Sequence, residues 1–105
     1  MVNIIIYLEN EMRTKATQLG HDLMKSEFVA IASIDEDNSY FIQKKEKVEK
    51  TIHTLITAQT KSLMFTEIVE NIEKNVGSDV LLFSVPLTQM NEQFNKYIKS
   101  RTKKI

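Results

Sequence analysis

The 105-residue chain contains no cysteine, one proline and two glycines. Without cysteine there are no disulfides, no thiol nucleophile and no thiolate ligands for zinc or iron–sulfur clusters. Two glycines exclude a glycine-rich loop of the kind that cradles phosphate. Neither sign of charge is in surplus, since 14 Lys and Arg balance 14 Asp and Glu. A dedicated DNA- or RNA-binding module needs a basic excess for its phosphate contacts, so nucleic acid is not an expected partner. Long hydrophobic runs are missing as well. Runs such as Ile4–Leu8 and Val80–Phe83 fall far short of the ~20 apolar residues of a membrane helix. Met1-Val2-Asn3 carries no basic region, and the run after it is too short for a signal-peptide core. The expected location is therefore cytoplasmic, with no membrane partner.

What is present suits a folded domain. Apolar residues make up 42% and charged residues 27%, a globular balance. No linker or repeat divides the chain, so residues 1–105 are read as one domain. The period of the apolar residues separates the elements. Asn3–Leu8 is an Ile-rich run, as expected of a central strand covered on both faces. Glu11–Glu27 places Met12, Ala16, Leu19, Leu23 and Met24 at helical spacing, with Gly20 on the same stripe. A glycine there costs about 1 kcal/mol against alanine, which close packing on a sheet would explain. Phe28–Asp35 reads as a strand. Asn38–Lys45 and Val48–Gln59 read as two strand arms around a charged bend. In the second arm Val48, Lys50, Ile52, Thr54, Ile56 and Ala58 form the more apolar face, which should meet the helices. Lys61–Val76 is a second helix, ended by Gly77 at a left-handed position. Asp79–Val85 is a strand stopped by Pro86, and Met90–Lys103 is a final helix. Lys99, Arg101, Lys103 and Lys104 lie where cations favour a helix C-terminus.

The order is β-α-β-β-α-β and then a helix. Right-handed crossovers turn it into an α+β, ferredoxin-like sandwich with both long helices on one face of an antiparallel sheet. The other face has no helix to cover it. An uncovered face and an extended hairpin both invite another subunit.

The sequence resembles the CutA divalent-cation-tolerance family over nearly its whole length. Ala16–Ile34 is similar to that family's first helix running without a gap into its second strand. Ser39-Tyr40-Phe41-Ile42 sits where the family has a Ser-x-Tyr-x-Trp stretch. The most specific match is Val85-Pro86-Leu87 followed by Asn91, Phe94, Tyr97-Ile98 and Thr102. There are departures. Ile31 occupies the family's cysteine position, the family's strand-end lysine falls near Ala58, and Val76-Gly77-Ser78 replaces its His-Pro-Tyr segment. The tryptophan positions hold Ile42 or Gln43, and Tyr97. The resemblance implies a homotrimer joined by its hairpins, non-catalytic, with a role in tolerance of divalent cations such as copper. The same fold and assembly occur in PII signal proteins, so a trimeric scaffold binding a small ligand or an unidentified protein partner is the alternative.

Few polar residues could carry chemistry. Asp35, Asp37, Ser39 and Glu46 match four positions of a calcium loop, but Tyr40 stands where the sharp turn needs glycine. Asp35 and Asp37 remain candidates for a carboxylate site for a cation. His53 is the candidate imidazole ligand, since a threefold axis could gather three copies of it. The alternative for His53 is a hydrogen-bonded surface histidine. Met12, Met24, Met64 and Met90 fall on or beside helix core stripes, which argues for packing and against soft-metal ligation. Tyr40, Phe41, Ile42, His53 and Leu55 are the expected subunit contacts, because aromatic residues concentrate in interface cores. No nucleophile–base spacing or anion loop with an arginine is present, so no enzymatic activity is expected.

Overall fold

The computed structural model describes residues 1–9 and 12–104. Its elements are β1 (Val2–Glu9), α1 (Arg13–Lys25), β2 (Ile31–Lys44), β3 (Lys47–Thr60), α2 (Phe65–Asn75), β4 (Leu81–Pro86) and α3 (Glu92–Arg101). A 3-10 turn at Ser62–Met64 leads into α2. The expected start of the first helix at Glu11 lies outside the described residues. The strands form one antiparallel sheet in the order β2-β3-β1-β4. Each βαβ crossover skips one strand, which leaves room for the antiparallel neighbour. The fold is the expected ferredoxin-like α+β sandwich with an added helix and a long hairpin.

β1 corrects one expectation. It is not covered on both faces. Val2, Ile4, Ile6 and Leu8 are buried under the helices, while Asn3, Ile5 and Tyr7 on the opposite face are only half-buried. The run looks continuous in sequence because its open face is apolar too. Ile4 and Ile6 pair with Ala58 and Ile56 of β3, and α1 covers this layer with Ala16, Leu19 and Leu23. α2 adds Ile68 and Ile72, and Met64 closes the core beside them. Each such side chain contributes about 1.5–3 kcal/mol through burial. Met24 does not join this core. It is 42% exposed, since it lies one step past the stripe that Ala16, Leu19 and Leu23 define.

Gly20 also departs from expectation. A methyl group there would sit 3.7 Å from Ile34 Cδ1, an ordinary contact, so the packing does not demand glycine. Gly77 has φ 158°, a positive angle that favours glycine, though not the left-handed helical one. α2 ends instead through Gly77 N–H donating to the Ile72 carbonyl at 3.0 Å. At the end of α1 it is Glu27, φ 61°, that takes the left-handed conformation usual for glycine.

β2 and β3 are 14 residues each and outrun the helix layer. Along β3, Thr54, Ile56 and Ala58 are buried, but Ile52 is 44% and Val48 68% exposed on the same face. The turn is Lys45-Glu46, with Lys45 at φ 54°. Asp35–Ser39 is not a loop between two strands. It lies inside β2, where Glu36 and Asp37 form a β-bulge: Asp35 pairs with Leu55 and Asn38 with His53.

α3 is capped by Asn91, whose Oδ1 accepts from Phe94 N–H at 2.8 Å. Ile98 is fully buried, and Thr102 Oγ1 donates to the Ile98 carbonyl at 2.8 Å. Lys103 N–H then donates to the Glu27 carbonyl at 2.7 Å, tying the chain end to the α1–β2 connection.

Candidate functional site

Strand register decides which side chains meet on the open face. Tyr7, Leu55 and Leu81 align across three strands, with Ile5, Thr57 and Phe83 in the next row. After the bulge, Asn38 and Tyr40 return to this face beside His53 and Thr51. The bulge is what permits this. One extra residue restores the alternation that brings Tyr40 over Tyr7.

The result is an aromatic cluster. The Tyr7 and Tyr40 rings meet edge-on, with centroids 5.0 Å apart and an interplanar angle of 88°. Tyr40 and His53 do the same at 5.3 Å and 89°. Phe83 flanks Tyr7 at 6.1 Å. Edge-to-face pairs of this kind add about 0.5–1.5 kcal/mol each beyond area burial. His53 is only 5% exposed, so it is not a surface histidine. Its Nδ1 is buried with no hydrogen-bond partner among the described residues. Burial and the neighbouring Tyr7 and Asp35 raise the pKa of the Tyr40 phenol above its ordinary value.

The acidic candidates separate. Asp35 shares the open face with Tyr40, whereas Asp37 Oδ1 lies 3.4 Å from Arg13 Nη1. Arg13 Nη2 also donates to Glu36 Oε2 at 3.0 Å. These two carboxylates raise the pKa of the guanidinium, with the Glu36 hydrogen bond the larger cause. The bulge thus ties the arm to the start of α1. Among the described residues, no three His, Asp or Glu side chains come together as a group that could hold a metal. Asp35, Asp37 and His53 are therefore not a ligand set within one copy.

The expected contact residues divide between the two faces of the arm. Tyr40 and Ile42 lie half-buried on the open-face side, and so does Leu55. Phe41 projects from the opposite side and is 75% exposed. Of the family-motif positions, Pro86 ends β4, Asn91 caps α3 and Ile98 is core. Phe94 is half-buried, and Tyr97 carries the Arg101 guanidinium 4.9 Å above its ring. These positions hold the scaffold together.

Sequence reasoning missed two features. Arg13 was not singled out, because its partners Glu36 and Asp37 lie far along the chain. The second is a cavity of about 410 Å³ at the end of β1, between the α2–β4 connection and the arm. Its lining includes Tyr7, Glu9, Ile42, His53, Asp79 and Leu81. No local motif marks it, since these residues come from separate segments of the chain.

Among the described residues, no helix is long and apolar enough to cross a membrane. A profile of the CutA1 divalent ion tolerance protein family matches residues 4–101. No curated protein matches the chain in sequence. Solved structures do match in shape. A point mutant of CutA1 from Pyrococcus horikoshii OT3 superposes with a TM-score of 0.87 at 19% identity, covering 99% of this chain and 100% of that one. CutA1 of Oryza sativa gives 0.87 at 14%, covering 99% and 94%. The periplasmic divalent cation tolerance protein CutA of Archaeoglobus fulgidus gives 0.83 at 17%, covering 96% and 98%. At these identities the likeness is one of fold.

Proposed function

The chain belongs to the CutA1 divalent ion tolerance family, and from that premise we propose that it works as a non-catalytic homotrimer in the tolerance of divalent cations, copper among them. The observation that carries the assembly is the open sheet face. Ile31, Leu81, Phe83 and Val85 are each at least 36% exposed there, on one side of a sheet whose other side is packed under the helices. Apolar surface gathered on one face in this way marks an interaction site. β2 adds a 14-residue edge strand, which favours pairing with another chain. In this reading Tyr40, Phe41, Ile42 and Leu55 make the subunit contacts, backed by the His53 ring.

The cation enters through assembly. One copy offers Asp35 and His53 on the same face but no third ligand among the described residues. The reading requires ligands from more than one copy, with Asp35 and His53 the first candidates. Asp37 takes part only if it leaves Arg13. The reading retains a cytoplasmic location for this chain. Fractionation checks that against the periplasmic description of the Archaeoglobus fulgidus protein.

Native mass spectrometry of metal-free protein, then with copper(II) added, tests the proposal. The expected species is three 12.2 kDa chains taking up one or three ions. Uptake should fall in Asp35→Asn and His53→Phe. A monomer would overturn the assembly, and a trimer indifferent to copper would overturn the cation role.

A further inference from the structure

The cavity at the end of β1 includes His53 of the cation reading, but its other walls supply no cation ligand there, and its chemistry is specific. Its walls are apolar and aromatic: Tyr7, Leu8, Ile42 and Val80 among them. Its volume, about 410 Å³, suits a small organic molecule. Two carboxylates, Glu9 and Asp79, stand exposed on its lining, and neither meets a cation among the described residues. The one lysine on the lining, Lys44, lies 3.8 Å from the carboxylate of Glu49 outside the cavity. The lining therefore carries unpaired negative charge.

The geometry points to a binding site for a small organic ammonium ion with an aromatic or aliphatic body. Three observations agree on that class. Glu9 and Asp79 supply counter-charge at the mouth. Tyr7 supplies an aromatic wall, against which a cation is attracted by the ring quadrupole. His53, the cross-strand partner of Glu9, lines the cavity with Nδ1 unpartnered. Where Nδ1 carries no proton, it accepts from a ligand N–H. An organic anion of the same shape would meet Glu9 and Asp79 with the wrong sign. The site goes beyond cation tolerance and shares only His53 with the candidate cation ligands.

The test uses the whole chain, stripped of metal with a chelator. Tryptamine is titrated by calorimetry, with indole-3-propionate as the probe of like shape and opposite charge. Tryptamine should bind with a Kd of about 1 mM or tighter, the range for a ligand of its size. Indole-3-propionate should bind at least about tenfold more weakly. The Glu9→Gln/Asp79→Asn double variant changes only exposed side chains. It should fold normally and weaken tryptamine about tenfold while leaving indole-3-propionate no weaker. Amide shifts on adding tryptamine should centre on Glu9 and residues 76–81. Absence of binding overturns the site. Equal binding of both probes, or unchanged tryptamine affinity in the double variant, overturns the assigned ligand class.

Discussion

The sheet has a body and an arm, and the two are built from nearly the same residues. In the body, Ile4, Ile6, Ile56 and Ala58 are fully buried. In the arm, Phe41, Val48 and Ile52 occupy equivalent positions of the same pleat and stay 44–75% exposed. The strand does not change character between them. β3 alternates from one end to the other, and the helix layer simply stops. Burial is thus a property of what lies above a strand, not of the strand. An arm with apolar side chains and nothing above them is suited to another copy of the chain, whereas the helix-covered face of the body is complete by itself.

This comparison can be broken by substitution. Ile6→Ala should destabilise the fold by about 2–5 kcal/mol, measured by urea unfolding, because it opens a cavity under two helices. Phe41→Ala should alter the unfolding free energy of the dissociated chain by less than about 0.5 kcal/mol. It should instead weaken self-association about tenfold or more, read by analytical ultracentrifugation. A stability loss at Phe41 matching that at Ile6, with association unchanged, would show that the arm packs on its own body. Gly20→Ala should stabilise α1 by about 0.5–1 kcal/mol, since the methyl group finds room below Ile34. A loss there would mean the helix sits closer to the sheet than 3.7 Å implies.

The smallest effect lies where body and arm join. Tyr40 holds its phenolic proton more tightly in the folded chain than in the unfolded one. Its contribution to stability is complete below the unfolded-state pKa of about 10 and is lost as pH rises through the higher folded value. Tyr40→Phe should flatten that alkaline decline in stability, followed by unfolding between about pH 9 and 12. An unaltered slope would show that the ring is not desolvated by Tyr7 and its neighbours.

Much of the architecture is legible along the chain because it depends on local period. Ala16, Leu19 and Leu23 mark the first helix by spacing alone, whereas a last helix read from Met90 misses its cap at Asn91. The site is less legible. Asp35-Glu36-Asp37 reads as an exposed acidic loop until the strands are paired. Then it proves to be a bulge that anchors the arm to Arg13 and turns Tyr40 toward Tyr7. Nothing near His53 in sequence suggests a buried ring, because its neighbours Tyr7 and Tyr40 lie 46 and 13 residues away. Met24 and Gly20 show the limit of period itself, which assigns a face but not the distance to whatever faces it.

The sequence by itself determined the element order and the helix stripes, since these follow from composition and spacing within single segments. Tertiary structure alone decided the rest. Register across β2, β3 and β1 assembled the aromatic cluster. The extent of the helix layer separated body from arm. The meeting of distant segments made the cavity between Glu9 and Asp79. Each depends on contacts between residues far apart in the chain, for which local propensity carries no signal.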